Sequence, residues 1–175
     1  MFKINEVKNR KILLDSNIPI HYASKGFVDR SGNILRTLMN NDNELAITPI
    51  SGFEILRGEN RDEVMEKYLK FLNYVPDIVM QRLYFNNGAA LAEHYRRICN
   101  HKNISPVDLI IGGTIISHSY GEDKDKPLLL TTDRKDFCEP LWLTVSYHVV
   151  PAEHEKGPQT VLYLLEFNTK LVPLR

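Results

Sequence analysis

The chain has no excess of charge of either sign. Lys plus Arg and Asp plus Glu both number 22, so the formal net charge is zero. A basic field over the whole molecule, of the kind that attracts nucleic acid, is therefore missing, and any such binding must come from a local patch. A nuclease remains compatible with this balance, because an acidic centre would offset basic residues near it.

Cysteine is scarce as well. Cys99 and Cys138 are the only two, and they show no spacing typical of metal ligands. They could form at most one disulfide. We expect a reduced chain in the cytoplasm.

Long hydrophobic runs are also absent. The longest mostly apolar stretch, Leu109 to Ile116, is far too short to span a bilayer. The beginning of the chain, Met1 to Lys11, is polar and leads into only three apolar residues, so it does not resemble a signal peptide. We therefore expect a soluble, cytoplasmic protein with no membrane partner.

What is present indicates one domain of the α/β class. With 175 residues, 43% hydrophobic and 25% charged, the chain suits a single globular domain. Short apolar runs predict strands at 11–15, 44–48, 128–130 and 144–150. Helical spacing or capping predicts helices at 31–40, 48–56, 62–72, 83–99 and 105–118. This alternation predicts a mainly parallel central sheet with helices on both faces. Residues 1–150 would form the domain, and 151–175 an extension packed on it or extending it, with 160–167 either strand or helix.

Four acids lie at strand ends or in adjoining helix starts, and their side chains can reach one edge of such a sheet. They are Asp15, Glu54, Asp108 and Asp133. Two carboxylates about 4 Å apart repel by roughly 4 kcal/mol at an effective dielectric near 20, so a cluster would need a cation. Oxygen ligands without His or Cys favour Mg²⁺ or Mn²⁺ over Zn²⁺.

Most of these acids also have a structural interpretation. Asp15, followed by Ser and Asn, could cap the next helix, and Asp108 could complete a capping box with Ser105. Asp133 and Asp136 could stabilise a turn. Glu54 is harder to explain in this way, because it lies beyond the first turn of an apolar helix.

The segments around these acids form an ordered set. They show a hydrophobic strand ending in Asp-x-Asn, a Glu within an apolar helix ending in Arg-Gly, an Asp before an apolar run, and Thr-x-Asp-x-x-Asp-Phe. They span Ile12–Ile18, Ile50–Gly58, Ile104–Thr114 and Leu128–Phe137. Together, over roughly 11–150, they resemble the motifs of the PIN-domain family. Gly112 and Gly113 depart from the family's usual alanines and could permit closer packing onto the sheet.

The resemblance implies a PIN-like three-layer α/β/α fold and metal-dependent endoribonuclease activity with Mg²⁺ or Mn²⁺. Asp15 and Asp108 would be the principal metal ligands, and Glu54 and Asp133 would complete the catalytic set directly or through water. The remaining family positions would have supporting roles. Asn17 and Thr131 would orient the carboxylates, and Asp136 is expected to be a structural partner.

The resemblance also implies partners. RNA phosphates would meet the basic residues Arg57, Arg61, Arg134 and Lys135, although each could equally be a solvated residue or a carboxylate partner. Compact PIN toxins are typically homodimers inhibited by an antitoxin, which we expect here. The alternatives are a standalone PIN nuclease without an antitoxin, and a catalytically silent PIN-like module that binds RNA or protein. A haloacid-dehalogenase phosphatase is disfavoured, because Asn17 stands where its second Asp is required.

Overall fold

The computed structural model describes residues 3–23, 27–57, 61–75, 79–81, 85–100, 104–119, 126–151 and 159–172. One six-stranded sheet runs through them in the order β3-β2-β1-β4-β6-β5. Its strands are β1 (Lys11–Leu14), β2 (Glu44–Ile47), β3 (Val79–Met80), β4 (Leu128–Thr131), β5 (Trp142–Val150) and β6 (Thr160–Phe167). The helices are α1 (Asn17–Ala23), α2 (Phe27–Asn40), α3 (Pro49–Leu56), α4 (Arg61–Tyr74), α5 (Phe85–Ile98) and α6 (Pro106–Ser119), and a 3-10 turn covers Ile4–Glu6.

The sheet is parallel from β3 to β4 and antiparallel from β4 outwards. This confirms the predicted α/β class with a mainly parallel centre. The central strands are apolar without alternation because both of their faces are covered. Ile12, Leu13 and Leu14 are all buried, and so are residues 128–130 of β4.

Two hydrophobic cores lie on opposite faces of the sheet. On one face Ile12 and Leu14 pack with α1, α2 and α4, and on the other Leu13 and Leu129 pack with α5 and α6. Successive strand residues point to opposite faces, so β1 contributes to both cores. The result is the expected arrangement of helix, sheet and helix.

The predicted helix starting at Thr48 forms as its sequence indicates. Thr48 is the N-cap of α3, its hydroxyl accepts a hydrogen bond from the Ser51 backbone N–H at 3.4 Å, and Pro49 is the first helical residue. This turn carries the chain from the carboxyl end of β2 directly into the helix that holds Glu54. Gly58, which was expected to end that helix, lies outside the described residues.

The segment left undecided between strand and helix is β6. It lies between β4 and β5 and pairs antiparallel with both. The sheet therefore includes residues on both sides of position 150.

Gly113 and Gly88 allow α5 and α6 to pack closely together. A Cβ atom at Gly113 would lie 2.8 Å from the Gly88 Cα atom, and one at Gly112 would lie 2.5 Å from Leu91 Cδ2. Gly113 therefore faces the neighbouring helix, and the expected closer packing onto the sheet is wrong for this position.

The expectation of reduced cysteines is also wrong for this structure. Cys99 and Cys138 are joined as a disulfide, with their Cα atoms 6.3 Å apart. The bond links the end of α5 to the segment between β4 and β5. Within the described ranges, no helix is long and apolar enough to cross a membrane.

Candidate functional site

The carboxyl edge of the parallel strands carries the acids predicted from the sequence. Asp15 directly follows β1, and Asp133 lies two residues beyond the end of β4. Glu54 is in α3, which starts immediately after β2, and Asp108 is in the first turn of α6. Parallel strands place their carboxyl ends along one edge, so chain segments that are far apart in sequence meet there.

Asp15 is a buried carboxylate held by uncharged donors. It is only 2% exposed. Its Oδ2 atom accepts hydrogen bonds from Thr131 Oγ1 at 2.6 Å and from Asn17 Nδ2 at 2.5 Å, and its Oδ1 atom accepts one from Ser16 Oγ at 3.3 Å. The pKa of Asp15 is raised to about 6, mainly by burial and least by the charge of Glu54, against the opposing effect of the hydrogen bonds.

Ser16 connects Asp15 to Glu54, a role that the sequence reasoning missed. Its hydroxyl contacts Glu54 Oε2 as well as Asp15 Oδ1. One hydroxyl proton is shared between two carboxylates, which places both acids around the same atom. The signal in the sequence was a serine between Asp15 and Asn17, immediately after a buried strand.

Asp108 lies within the electrostatic field of the other acids. Its pKa is raised to about 8, first by burial and then by the negative charges of four other acids. These are Asp15, Asp136, Glu54 and Asp133. Asp108 is therefore near enough to these four acids for their negative charges to raise its pKa.

The proposed capping box around Asp108 is only half formed. Ser105 Oγ accepts a hydrogen bond from the Val107 backbone N–H at 3.2 Å, so Ser105 caps the start of α6. Among the described residues, the Asp108 carboxylate accepts no hydrogen bond from the backbone of Ser105. Helix capping alone therefore does not explain why an Asp occupies position 108.

Asp133 does stabilise a turn, as one interpretation of the sequence suggested. Its Oδ1 atom accepts hydrogen bonds from the backbone N–H groups of Lys135 at 2.9 Å and Asp136 at 3.4 Å. Its own N–H donates to Thr131 Oγ1 at 2.9 Å. The turn and the acidic cluster thus use the same side chain, and the charge of Asp136 also acts on Asp108.

Asn17 and Thr131 fasten the ends of β1 and β4 together. Asn17 Nδ2 donates to Thr131 Oγ1 at 3.1 Å, and Asn17 Oδ1 accepts from the Thr132 N–H at 3.1 Å. Both side chains also bond Asp15, so they fix the orientation of its carboxylate.

The predicted basic residues have different surroundings. Arg57 and Lys135 are exposed near Glu54 and Asp133. Arg134 is mostly buried and donates to Glu139 Oε1 and to the Trp142 carbonyl oxygen, each at 2.9 Å. This favours the alternative of a structural partner for Arg134. Arg61 is the first residue of α4, and its side chain lies outside the described part of the structure.

A buried aromatic pair lies beside the cluster. Trp142 Nε1 donates to the Tyr95 hydroxyl at 2.6 Å, and both residues are fully buried. Burial raises the pKa of Tyr95, and the negative charges of Asp108 and Asp136 raise it further. Tyr95, Trp142 and the similarly buried Tyr22 are core residues, too deeply buried to stack on a nucleic-acid base.

The donor chemistry of the cluster suits a hard divalent cation. It offers carboxylate oxygens, and among the described residues the hydrogen-bond donors to Asp15 are uncharged, so none of them balances its negative charge. Within the described residues, however, no three His, Cys, Asp or Glu side chains are already grouped closely enough to hold an ion. The charges of these acids act on one another, but their side chains do not stand in the positions of metal ligands.

Comparison with known proteins gives only distant structural likeness. No family model and no curated protein matches the chain. Among solved structures, it is similar to the crystal structure of VapBC2 from Rickettsia felis bound to a DNA fragment from their promoter. The identity is 19%, the match covers 61% of this chain and 81% of that chain, and the TM-score is 0.47. The interpretation of the site therefore rests on its own residues.

Proposed function

We propose that the chain is a PIN-like endoribonuclease that uses Mg²⁺ or Mn²⁺ to hydrolyse RNA phosphodiester bonds. One observation carries the proposal: acids from four separate segments lie along the carboxyl edge of the sheet, and burial together with the negative charges of its neighbours raises the pKa of Asp108. The order of the four motifs, which resembles the PIN-domain family, supports the same conclusion.

In this proposal Asp15 and Asp108 are the principal ligands, and Glu54 and Asp133 complete the set. A divalent ion held by these residues would supply a water molecule of lowered pKa and would offset charge that develops on the phosphate. Thr131 and Asn17 orient the Asp15 carboxylate through the hydrogen bonds described above.

The RNA backbone would be contacted by exposed cations near this edge. Arg57 and Lys135 suit that role, because both are exposed and close in sequence to the acids. Arg61, near Arg57 in the chain, stays a candidate. Arg134 is less suited, because its guanidinium already binds Glu139 and the Trp142 carbonyl.

The test is cleavage of single-stranded RNA by the purified protein with Mn²⁺ and with EDTA. We expect cleavage only with Mn²⁺, and its loss in Asp15→Asn. Asp42→Asn is the matched control, since Asp42 is an exposed residue just before β2, at the opposite edge of the sheet. Asn suits its positive φ of 58°.

Two results would contradict the proposal. One is cleavage that survives in Asp15→Asn with the parent's metal dependence. The other is RNA binding without cleavage under both conditions, which would support the catalytically silent module.

We further propose that the protein is a homodimeric toxin inhibited by an antitoxin. An antitoxin would present a basic side chain, typically Arg, to the acidic edge, where the donors to Asp15 from the described residues are uncharged. A neighbouring reading frame for a small protein that co-purifies with the chain and blocks cleavage would support this. Light scattering that shows only monomer at micromolar concentration, or the lack of such a frame, would favour a standalone nuclease.

A further inference from the structure

Helix α5 is attached at two points to the loop that follows β4. Tyr95 and Cys99 are four residues apart, so they lie on the same side at the end of this helix. Tyr95 accepts the hydrogen bond from Trp142, and Cys99 forms the disulfide with Cys138. Cys138 and Trp142 are themselves linked, since the Trp142 N–H donates to the Cys138 carbonyl oxygen at 3.0 Å.

These attachments hold residues 133–141, which we call the acidic turn, at its middle and directly after its end. It contains Asp133 and Asp136, two of the acids whose charges act on Asp108. The disulfide holds the middle of the turn, and the Tyr95–Trp142 hydrogen bond holds the point where β5 begins. The position of these two acids therefore depends partly on a covalent bond that thiols can break.

We propose that Cys99 and Cys138 form a reversible thiol–disulfide site whose oxidation state sets how firmly the acidic turn is held. The reactant is a dithiol reductant. Its two thiols supply two electrons and two protons, the Cys99–Cys138 bond breaks to give two thiols, and the dithiol becomes a disulfide. Both cysteines pack against the edge of one core and are partly exposed, so the bond lies near the surface.

Reduction would loosen the turn without unfolding the domain. Phe137 is fully buried and packs edge-to-face on Trp142 with ring centroids 5.2 Å apart, and Arg134 still binds the Trp142 carbonyl. These contacts do not involve sulfur. Reduction therefore removes only the disulfide between the acidic turn and α5, and its effect is local.

The primary test is amide hydrogen exchange over residues 132–141 in oxidised and reduced protein. We expect exchange in this segment to become about tenfold faster on reduction, and exchange in β1 and β4 to stay unchanged. The double variant Cys99→Ser/Cys138→Ser is the control. Its amide exchange should equal that of the reduced parent and should be the same under oxidising and reducing conditions. Equal exchange in the two forms of the parent, failure of the pair to oxidise with glutathione disulfide, or global unfolding on reduction would each overturn the inference.

The consequence for the site rests on the proposed function. We expect reduction to weaken Mn²⁺ binding severalfold, because Asp133 would be less well placed, and reoxidation to restore it. If neither form binds Mn²⁺ but exchange still changes with redox state, the proposed function fails and the thiol–disulfide site stands. If Mn²⁺ binds equally to both forms, the redox state of the disulfide does not control metal binding and this part of the inference is refuted. The proposed function is then unaffected.

Discussion

Replacing Asp108 by Asn should stabilise the metal-free protein, and increasingly so as the pH rises. The unfolded chain ionises this carboxyl group near the ordinary pKa of 3.8, whereas the folded chain retains the proton until about pH 8. Between these values the folded state binds more protons than the unfolded state, so the free energy of unfolding falls as the pH rises. Asn cannot ionise and avoids this loss.

The size of the effect follows from the same pKa. A rise from 3.8 to about 8 corresponds to on the order of 5 kcal/mol at 1.36 kcal/mol per pKa unit. Water at this half-buried group and movement of the neighbouring carboxylates reduce that figure. A charged Asp in the first turn also gains about 0.3–1 kcal/mol from the helix dipole. We therefore expect Asp108→Asn to be roughly 2–4 kcal/mol more stable at pH 8 and much closer to the parent at pH 5.

Urea denaturation in EDTA at these two pH values measures the difference directly. Asp42→Asn serves again as the control for removal of one acid, and it should show no comparable gain. The reasoning is refuted if Asp108→Asn is no more stable than the parent at pH 8, or if its advantage shrinks between pH 5 and pH 8. Added Mn²⁺ should stabilise the parent more than the variant, because only the parent offers the carboxylate to the ion.

Two further substitutions test the packing around the site. Gly113→Ala should lower the free energy of unfolding by about 1–3 kcal/mol, because the added Cβ atom would clash with the backbone of Gly88. The control is Gly52→Ala, whose Cβ atom would lie 3.4 Å from the Tyr68 hydroxyl oxygen, an ordinary contact. Equal melting temperatures of the two variants would contradict the prediction. Tyr95→Phe should cost about 1–3 kcal/mol by leaving the buried Trp142 N–H without its acceptor, and unchanged stability in urea would show that another acceptor replaces it.

The central layer of the fold could be predicted because its signals are local. Ile12 to Leu14 form an apolar run too short for a helix, and they are a buried strand. Thr48 followed by Pro49 marked the start of α3 by its capping chemistry alone. The meeting of Asp15 with Asp133 at one edge follows from the parallel arrangement, once the strands are placed.

Features that depend on long-range packing could not be predicted. Hydrophobicity alone would place Met65 and Leu69 of α4 in the core, yet they are 39% and 51% exposed, and Phe71 is buried instead. Helical spacing permits several faces, and only the position of the sheet selects one. Likewise, nothing in the spacing of Cys99 and Cys138 indicates that α5 ends beside the acidic turn.

Acidic side chains have different partners at the two edges of the sheet, and this difference argues that the acidic cluster is functional. At the amino-terminal edge of β1 and β4, Glu166 forms ion pairs with Arg10 at 3.2 Å and Lys126 at 3.6 Å. At the carboxyl edge, Asp15 is more deeply buried, and within the part of the chain that the structure describes its hydrogen-bond donors are uncharged. The chain has as many basic as acidic residues, and two of its cations pair with the half-buried Glu166. Basic side chains are therefore available to pair with a buried carboxylate. Unbalanced charge at only one of these edges is what a site for a cation requires, and it costs stability until that cation binds.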